Sequence, residues 1–198
     1  MKLYLIRHGQ SVANRDHISA GWGEFPLTEL GREQARRVGE YLRRMKPFDK
    51  IYVSDLVRTR QTFECAFGPE TEHVLCPLIR EVHAPFAGRS FAELVEEYGP
   101  DYQAAMRRMD YSAFGGEGPQ ELAARLLAFR DQVAADNLER VAAVCHAGVI
   151  RAFLALTVGV PSTELRPFTD NCAISVFEYD RNENTWRLRH YNWIPELE

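Results

Sequence analysis

The sequence is poor in cysteine, with four in 198 residues: Cys65, Cys76, Cys145 and Cys172, widely separated and in apolar surroundings. No C-x-x-C pair exists, which removes the common zinc and dithiol arrangements and leaves four reduced core thiols as the expectation. No apolar stretch approaches the roughly 20 residues that span a bilayer. The opening MKLYLIRHGQ also lacks the apolar core and small-residue cleavage site of an export signal, so a cytoplasmic protein without a membrane partner is expected. Basic residues are not in excess: 24 Lys and Arg stand against 28 Asp and Glu, a net charge of −4, which argues against nucleic acid as a partner. Neither internal repeats nor low-complexity segments occur. A 45% hydrophobic chain of this length can bury a full core, and residues 1–198 are expected to form one domain with a small lid near residues 82–118.

Two junctions stand out. The apolar run from Leu3 to Ile6 stops abruptly at Arg7-His8-Gly9, and a second run from Val141 to Cys145 stops at His146-Ala147-Gly148. Short apolar runs of this kind predict buried strands. In open α/β sheets ligands bind just beyond the carboxyl ends of strands, and a glycine there lets the backbone approach them closely. If the two strands are parallel neighbours, His8 and His146 face one crevice, with the amides of Gly9 and Gly148 open to an anion such as phosphate.

Between these junctions strands and helices alternate. Thr28 is placed to N-cap a helix carrying Leu30, Val38, Leu42 and Met45, which Pro47 stops. Ile51 to Val53 reads as a second strand, and Ser54-Asp55 as the cap of a helix with Arg58 and Thr62 one turn apart on one face. Residues 74–81 hold a further short strand or two. From Pro85 to Gly118, repeated Gly and Pro predict short helical pieces forming a cap. Pro119 to Leu138 is an amphipathic helix, Val149 to Thr157 another, and Ala173 to Tyr179 with Trp186 to Trp193 a closing hairpin about Asn182-Glu183-Asn184. The expected class is α/β, a three-layer α/β/α sandwich on a mostly parallel sheet.

RHGQS at Arg7 to Ser11 with Asn14, PLTELGREQA from Pro26, SDLVRTRQT from Ser54, Glu81 in IREV, GGEG at residues 115–118 and CHAGVIR from Cys145 form an ordered set. Together they resemble the histidine phosphatase, or phosphoglycerate-mutase-like, superfamily, in the branch of small-molecule phosphatases and cofactor-dependent mutases. The resemblance implies that His8 takes the phosphoryl group, that Arg7, Arg58 and His146 bind its oxygens, and that Glu81 gives and then removes a proton. It places Gln10, Ser11 and Asn14 around the phosphate or His8, Ala147 and Gly148 at the substrate, and Glu117 in support from the lid.

The chemistry is consistent with these roles. Guanidiniums stay ionised and bind oxyanions in a planar fork, and imidazole, with an ordinary pKa of about 6.5, is largely neutral near pH 7. A glutamic acid serving as proton donor must carry its proton near neutrality. Two departures are present: Val82-His83-Ala84-Pro85-Phe86-Ala87-Gly88 follows Glu81 where relatives often carry an acidic stretch, and Cys145 stands where a small hydroxyl residue is common.

The implied activity is metal-independent hydrolysis of a small phosphate ester through a phosphohistidine, with no metal and no cofactor. GGEGPQE resembles α-ribazole phosphatases modestly. The alternatives are a cofactor-dependent phosphoglycerate mutase, whose similar relatives are longer in the inserted region, and an idle phospho-ligand or protein-binding module. Metal-dependent hydrolysis lacks close ligand spacing such as H-x-x-x-H. Many relatives dimerise, and a homodimer is compatible with this chain. Lid aromatics such as Trp22, Tyr102 and Tyr111 read first as packing, and Arg107 and Arg108 as a solvated face with an option on a second substrate charge.

Overall fold

The structure is a computed structural model that describes residues 1–195. A six-stranded sheet runs in the order β3-β2-β4-β1-β5-β6. Its strands are β1 (Lys2–Arg7), β2 (Lys50–Val53), β3 (Val74–Leu75), β4 (Arg140–Cys145), β5 (Ile174–Asp180) and β6 (Thr185–Trp193). β1, β2, β3 and β4 are parallel, and β5 lies antiparallel against β1 as the first arm of the expected hairpin. The helices are α1 (Val12–Arg15), α2 (Glu29–Arg43), α3 (Val57–Phe67), α4 (Phe91–Arg108), α5 (Pro119–Ala135) and α6 (Ala147–Val158). Among the described residues no helix is long and apolar enough to cross a membrane.

The period-two pleat sorts the apolar runs into two cores. Leu3 and Leu5 of β1, with Val141, Ala143 and Cys145 of β4, face α5, α6 and the inner side of α4 through Leu126, Phe129, Ile150 and Phe153. Tyr4 and Ile6, with Ala142 and Val144, face α2 and α3 through Val38, Leu42 and Phe63. Central strands buried on both faces explain why both runs are apolar without alternation.

Thr28 caps α2 as expected, its side chain accepting from the Gly31 amide. Leu30, however, is 54% exposed. The buried face of α2 is instead small, Gly31, Ala35 and Gly39 with Val38 and Leu42. A Cβ at Gly31 would lie 2.1 Å from the Gln10 carbonyl oxygen, and one at Gly39 2.3 Å from that of Ala66. α2 therefore lies backbone-to-backbone on the loop that follows His8 and on the end of α3, which anchors that loop.

One local expectation is corrected. Ser54 and Asp55 do not cap α3, which begins at Val57 with Leu56 as an N-cap lacking a side-chain bond. Glu24 accepts from the Val57 amide instead (2.8 Å), while Asp55 forms an ion pair with Arg80. Residues 74–81 contain one two-residue strand followed by a 3-10 turn at Pro77–Ile79. Between Pro85 and Gly118 the chain forms short helical pieces, as its glycines and prolines predict. α4 is two helical pieces divided at Gly99 (φ 53°, ψ −132°), and Pro100 opens the second, where no amide donor is required. Phe86, Tyr98, Tyr102 and Phe114 pack together with centroids 5.3–5.5 Å apart, three of the four ring pairs edge-on, so these aromatics are packing residues.

Candidate active site

Because β1 and β4 are parallel neighbours, with Arg7 opposite Cys145, the next residue of each strand emerges at the same sheet edge. His8 and His146 consequently meet, ring centroids 5.2 Å apart at 63°. Both are buried. His8 Nδ1 lies 2.7 Å from the Gly9 carbonyl oxygen. That oxygen can only accept, so Nδ1 carries the hydrogen and Nε2 keeps its lone pair. Burial, then the charges of Arg58 and Arg7, push the His8 pKa well below the ordinary value. The imidazole is neutral and oriented. His146 Nε2 sits 2.8 Å from Ser54 Oγ, while its Nδ1 is buried without a partner. Burial followed by Arg58 and His8 holds its pKa well below 6.5 also.

The two arginines are held by backbone carbonyls, not by carboxylates. Arg58, from the first turn of α3, donates from Nη1 to Gly23 O (3.0 Å) and from Nη2 to Gly21 O (2.9 Å). Arg7 donates from Nη1 to Thr169 O. Burial lowers both pKa values, that of Arg58 to about 10, so both stay charged at neutral pH. Arg7 Nε and Arg58 Nε, like His146 Nδ1, are buried polar atoms with no hydrogen-bond partner. An unmatched buried polar group costs about 1–3 kcal/mol. Two unpartnered guanidinium nitrogens and one ring nitrogen, with no carboxylate hydrogen-bonded to either arginine, suit a bound oxyanion.

Glu81 stands across from them. Its Oε1 accepts from the Val82 amide (2.9 Å), and Oε2 lies 3.4 Å from the Gly148 amide at the start of α6. A Cβ on Gly148 would come within 2.3 Å of Glu81 Oε1, so glycine is required there for the carboxylate to keep its place. The Glu81 carbonyl receives Trp22 Nε1 (2.7 Å) and Arg125 Nη2 (3.2 Å). Arg125 also holds Leu78 O and pairs in a fork with Glu117 (2.6 and 2.8 Å).

Arg7, Asn14, Glu81, Ala147 and Gly148 line a crevice of about 390 Å³. Asn14 has its Oδ1 occupied by Ser11 and Asn171, leaving its amide nitrogen as a donor. Ser11 does not reach the crevice, since its hydroxyl is spent in the α1 capping box. Gln10 Oε1 accepts from Thr28 Oγ1 (2.8 Å) and belongs to the α2 cap. Glu117 is committed to Arg125 and to the His83 amide, so it braces the Glu81 loop from the lid. The Gly9 amide is not open to an anion as expected; it donates to Thr62 Oγ1 (3.0 Å). A larger cavity of about 800 Å³ lies elsewhere, between α5, α6 and residues 160–166, and holds none of these groups.

Sequence reading missed Ser54, Thr62, Arg125, Thr169 and Asn171. Ser54 and Thr62 lie within SDLVRTRQT and were legible as motif members. Asn171, which donates to His8 O (3.0 Å) and to Asn14, and Thr169 precede β5; because β5 runs antiparallel, its start reaches the same edge.

Burying two neutral imidazoles has a consequence for stability. Below pH 6.5 the unfolded chain takes up protons that folded His8 and His146 refuse. Stability is therefore full above that pH and is lost as pH falls towards the folded values, by at most about 1.4 kcal/mol per pH unit for each histidine. Urea midpoints measured from about pH 7.5 to 5.5 are expected to fall; a flat profile would contradict two buried neutral rings.

The fold is α/β, with two buried histidines at one sheet edge and two arginines whose Nε atoms are buried without a partner. The family model of the histidine phosphatase superfamily (branch 1) matches residues 3–194, and the chain belongs to that superfamily. A 2,3-bisphosphoglycerate-dependent phosphoglycerate mutase 2 of Gloeobacter violaceus is 32% identical over 161 residues, 77% of this chain and 73% of the relative. An adenosylcobalamin/alpha-ribazole phosphatase of Salmonella typhi is 29% identical over 172 residues, 85% of each. The structure of a mycobacterial glucosyl-3-phosphoglycerate phosphatase in complex with VO3 superposes with a TM-score of 0.82 at 26% identity, covering 96% of this chain and 98% of that one.

Proposed function

We propose that this protein is a metal-independent phosphomonoester hydrolase that acts on a small phosphorylated metabolite through a phosphohistidine at His8. The observation that carries the reading is the fixed tautomer of His8, which leaves its Nε2 lone pair free on a ring that packs against His146 and feels the charges of Arg58 and Arg7. Nε2 attacks phosphorus as the ester P–O bond breaks, and the departing oxygen takes the proton of Glu81. Water then attacks the phosphorus, Glu81 recovers a proton from it, and the P–N bond breaks to return neutral His8 and inorganic phosphate. Arg7 and Arg58 neutralise the equatorial oxygens. With the Ser54 hydroxyl donating to Nε2 of His146, Nδ1–H is the donor left for a phosphate oxygen. Cationic arginines around the reacting atom favour an anion and repel a metal ion. The amides opening α6 add their dipole at the same edge.

A mutase would use the same phosphohistidine and return the phosphoryl group to its substrate. The relatives named as mutases keep that reading in view, and the product decides between them.

The test is phosphate release in chelator from a panel including 3-phosphoglycerate, a nucleoside monophosphate and p-nitrophenyl phosphate, for wild type and Glu81→Gln. Wild type is expected to release phosphate. Glu81→Gln is expected to lose about 10²–10⁴-fold on alkyl esters. On p-nitrophenyl phosphate, whose leaving group needs no proton, it should give a burst of one nitrophenol per site before a slow second step. Equal losses on both esters with no burst would remove Glu81 from its role. Isomerised phosphoglycerate without release favours the mutase, and binding without turnover the idle module.

A further inference from the structure

Beyond the phosphoryl subsite the crevice changes character. Phe91, Met106, Met109, Tyr111 and Phe168 supply apolar and aromatic wall, with Phe168 75% exposed. One cation sits among them, Arg151 of α6. It follows Gly148 by three residues, hence on the same helix face and about 4.5 Å further along the axis.

Arg151 is held as Arg7 and Arg58 are held. Its Nη2 donates to the carbonyls of Arg107 and Ser162, both at 2.7 Å, while its Nε is buried with no partner. Surface arginines of this chain such as Arg15, Arg36, Arg89 and Arg187 take carboxylate partners. Among the described residues Arg151 takes none. Burial and the nearby charge of Arg166 both work against its ionised form, opposed by Tyr191 and Tyr111. A guanidinium kept in a crevice without a counter-charge is stabilised by an anion arriving from solvent.

Building on the phosphatase reading, we propose that Arg151 binds a second anionic group of the substrate, so that the leaving group joins an apolar or aromatic body to a carboxylate. The planar fork of arginine matches a carboxylate, and the Met and aromatic wall matches the body between the two charges. Arg107 contributes its carbonyl to Arg151 and does not line the crevice. Arg108 borders the larger cavity, so neither of that pair supplies this charge.

The experiment compares 4-carboxyphenyl phosphate with 4-carbamoylphenyl phosphate, esters of like shape that differ in one charge. Wild type is expected to favour the carboxylate about tenfold or more in kcat/KM, mainly through KM. Arg151→Met should bring the ratio to about one, and Arg151→Lys should restore part of it. Equal use of the two esters by wild type, or a preference that survives in Arg151→Met, overturns the proposal. Should Arg151→Met fail to fold, the wild-type ratio and the lysine variant decide. Calorimetry with 4-carboxybenzylphosphonate and 4-carbamoylbenzylphosphonate reads the same preference without turnover. An Arg151-dependent preference in binding with neither ester hydrolysed would sink the phosphatase reading and keep the subsite. Turnover without preference would do the reverse.

Discussion

His8→Ala is expected to abolish phosphate release, lowering kcat by at least about 10⁴-fold, or about 5.5 kcal/mol of barrier. The size follows from what is removed. Arg7, Arg58 and His146 can still hold the ester, and no other nucleophile occupies the place of His8 Nε2. Binding and chemistry should therefore separate: inorganic phosphate or vanadate is expected to bind the variant with affinity within about tenfold of wild type, because the guanidinium donors remain. The His8 amide keeps its bond to Cys145 O, so the strand end is retained. Loss of oxyanion binding together with activity would mean that His8 holds the site together and does not react.

Arg58→Lys tests the clamp itself, and it is expected to cost about 10²–10³-fold in kcat/KM despite conserving charge. Arg58 uses two nitrogens to grip the Gly21 and Gly23 carbonyls, and its third, Nε, is buried without a partner. A lysine ammonium is a single point on a flexible stem and cannot grip two carbonyls while presenting a fixed donor elsewhere. Two effects should appear together: weaker oxyanion binding and a loosened 21–23 loop, the latter visible as changed fluorescence of Trp22. A lysine variant with near-normal kinetics would show that only the charge matters.

The parts of this site that were legible from sequence are those that depend on strand ends. Two apolar runs, each stopped by histidine and glycine, place His8 and His146 at one edge once β1 and β4 pair. The cap at Thr28, the α5 and α6 helices and the closing hairpin followed from local rules in the same way. What escaped sequence reading depended on partners distant in the chain. Ser54 reads locally as a helix cap, yet His146, 92 residues away, takes its hydroxyl. Gly9 reads as an open amide until Thr62 is folded against it. Arg125 looks like a solvated position on an amphipathic helix, and only the fold brings it to the Glu81 carbonyl and to Glu117. Leu30 shows the opposite error: its spacing fits an apolar stripe, but α2 packs through glycine and alanine because it lies against backbone. Backbone-to-backbone packing has no hydrophobic signature, and side-chain to main-chain bonds across the chain have no period.

The most direct measurement is rapid acid-free quenching of wild type during turnover of a ³²P-labelled ester in chelator, with the labelled peptide then mapped. The expected result is one phosphoryl group per active site on the peptide containing His8, stable to alkali, lost in acid, and absent from His8→Ala. Steady phosphate release with no enzyme-bound label, or label on a residue other than His8, would contradict transfer through this histidine.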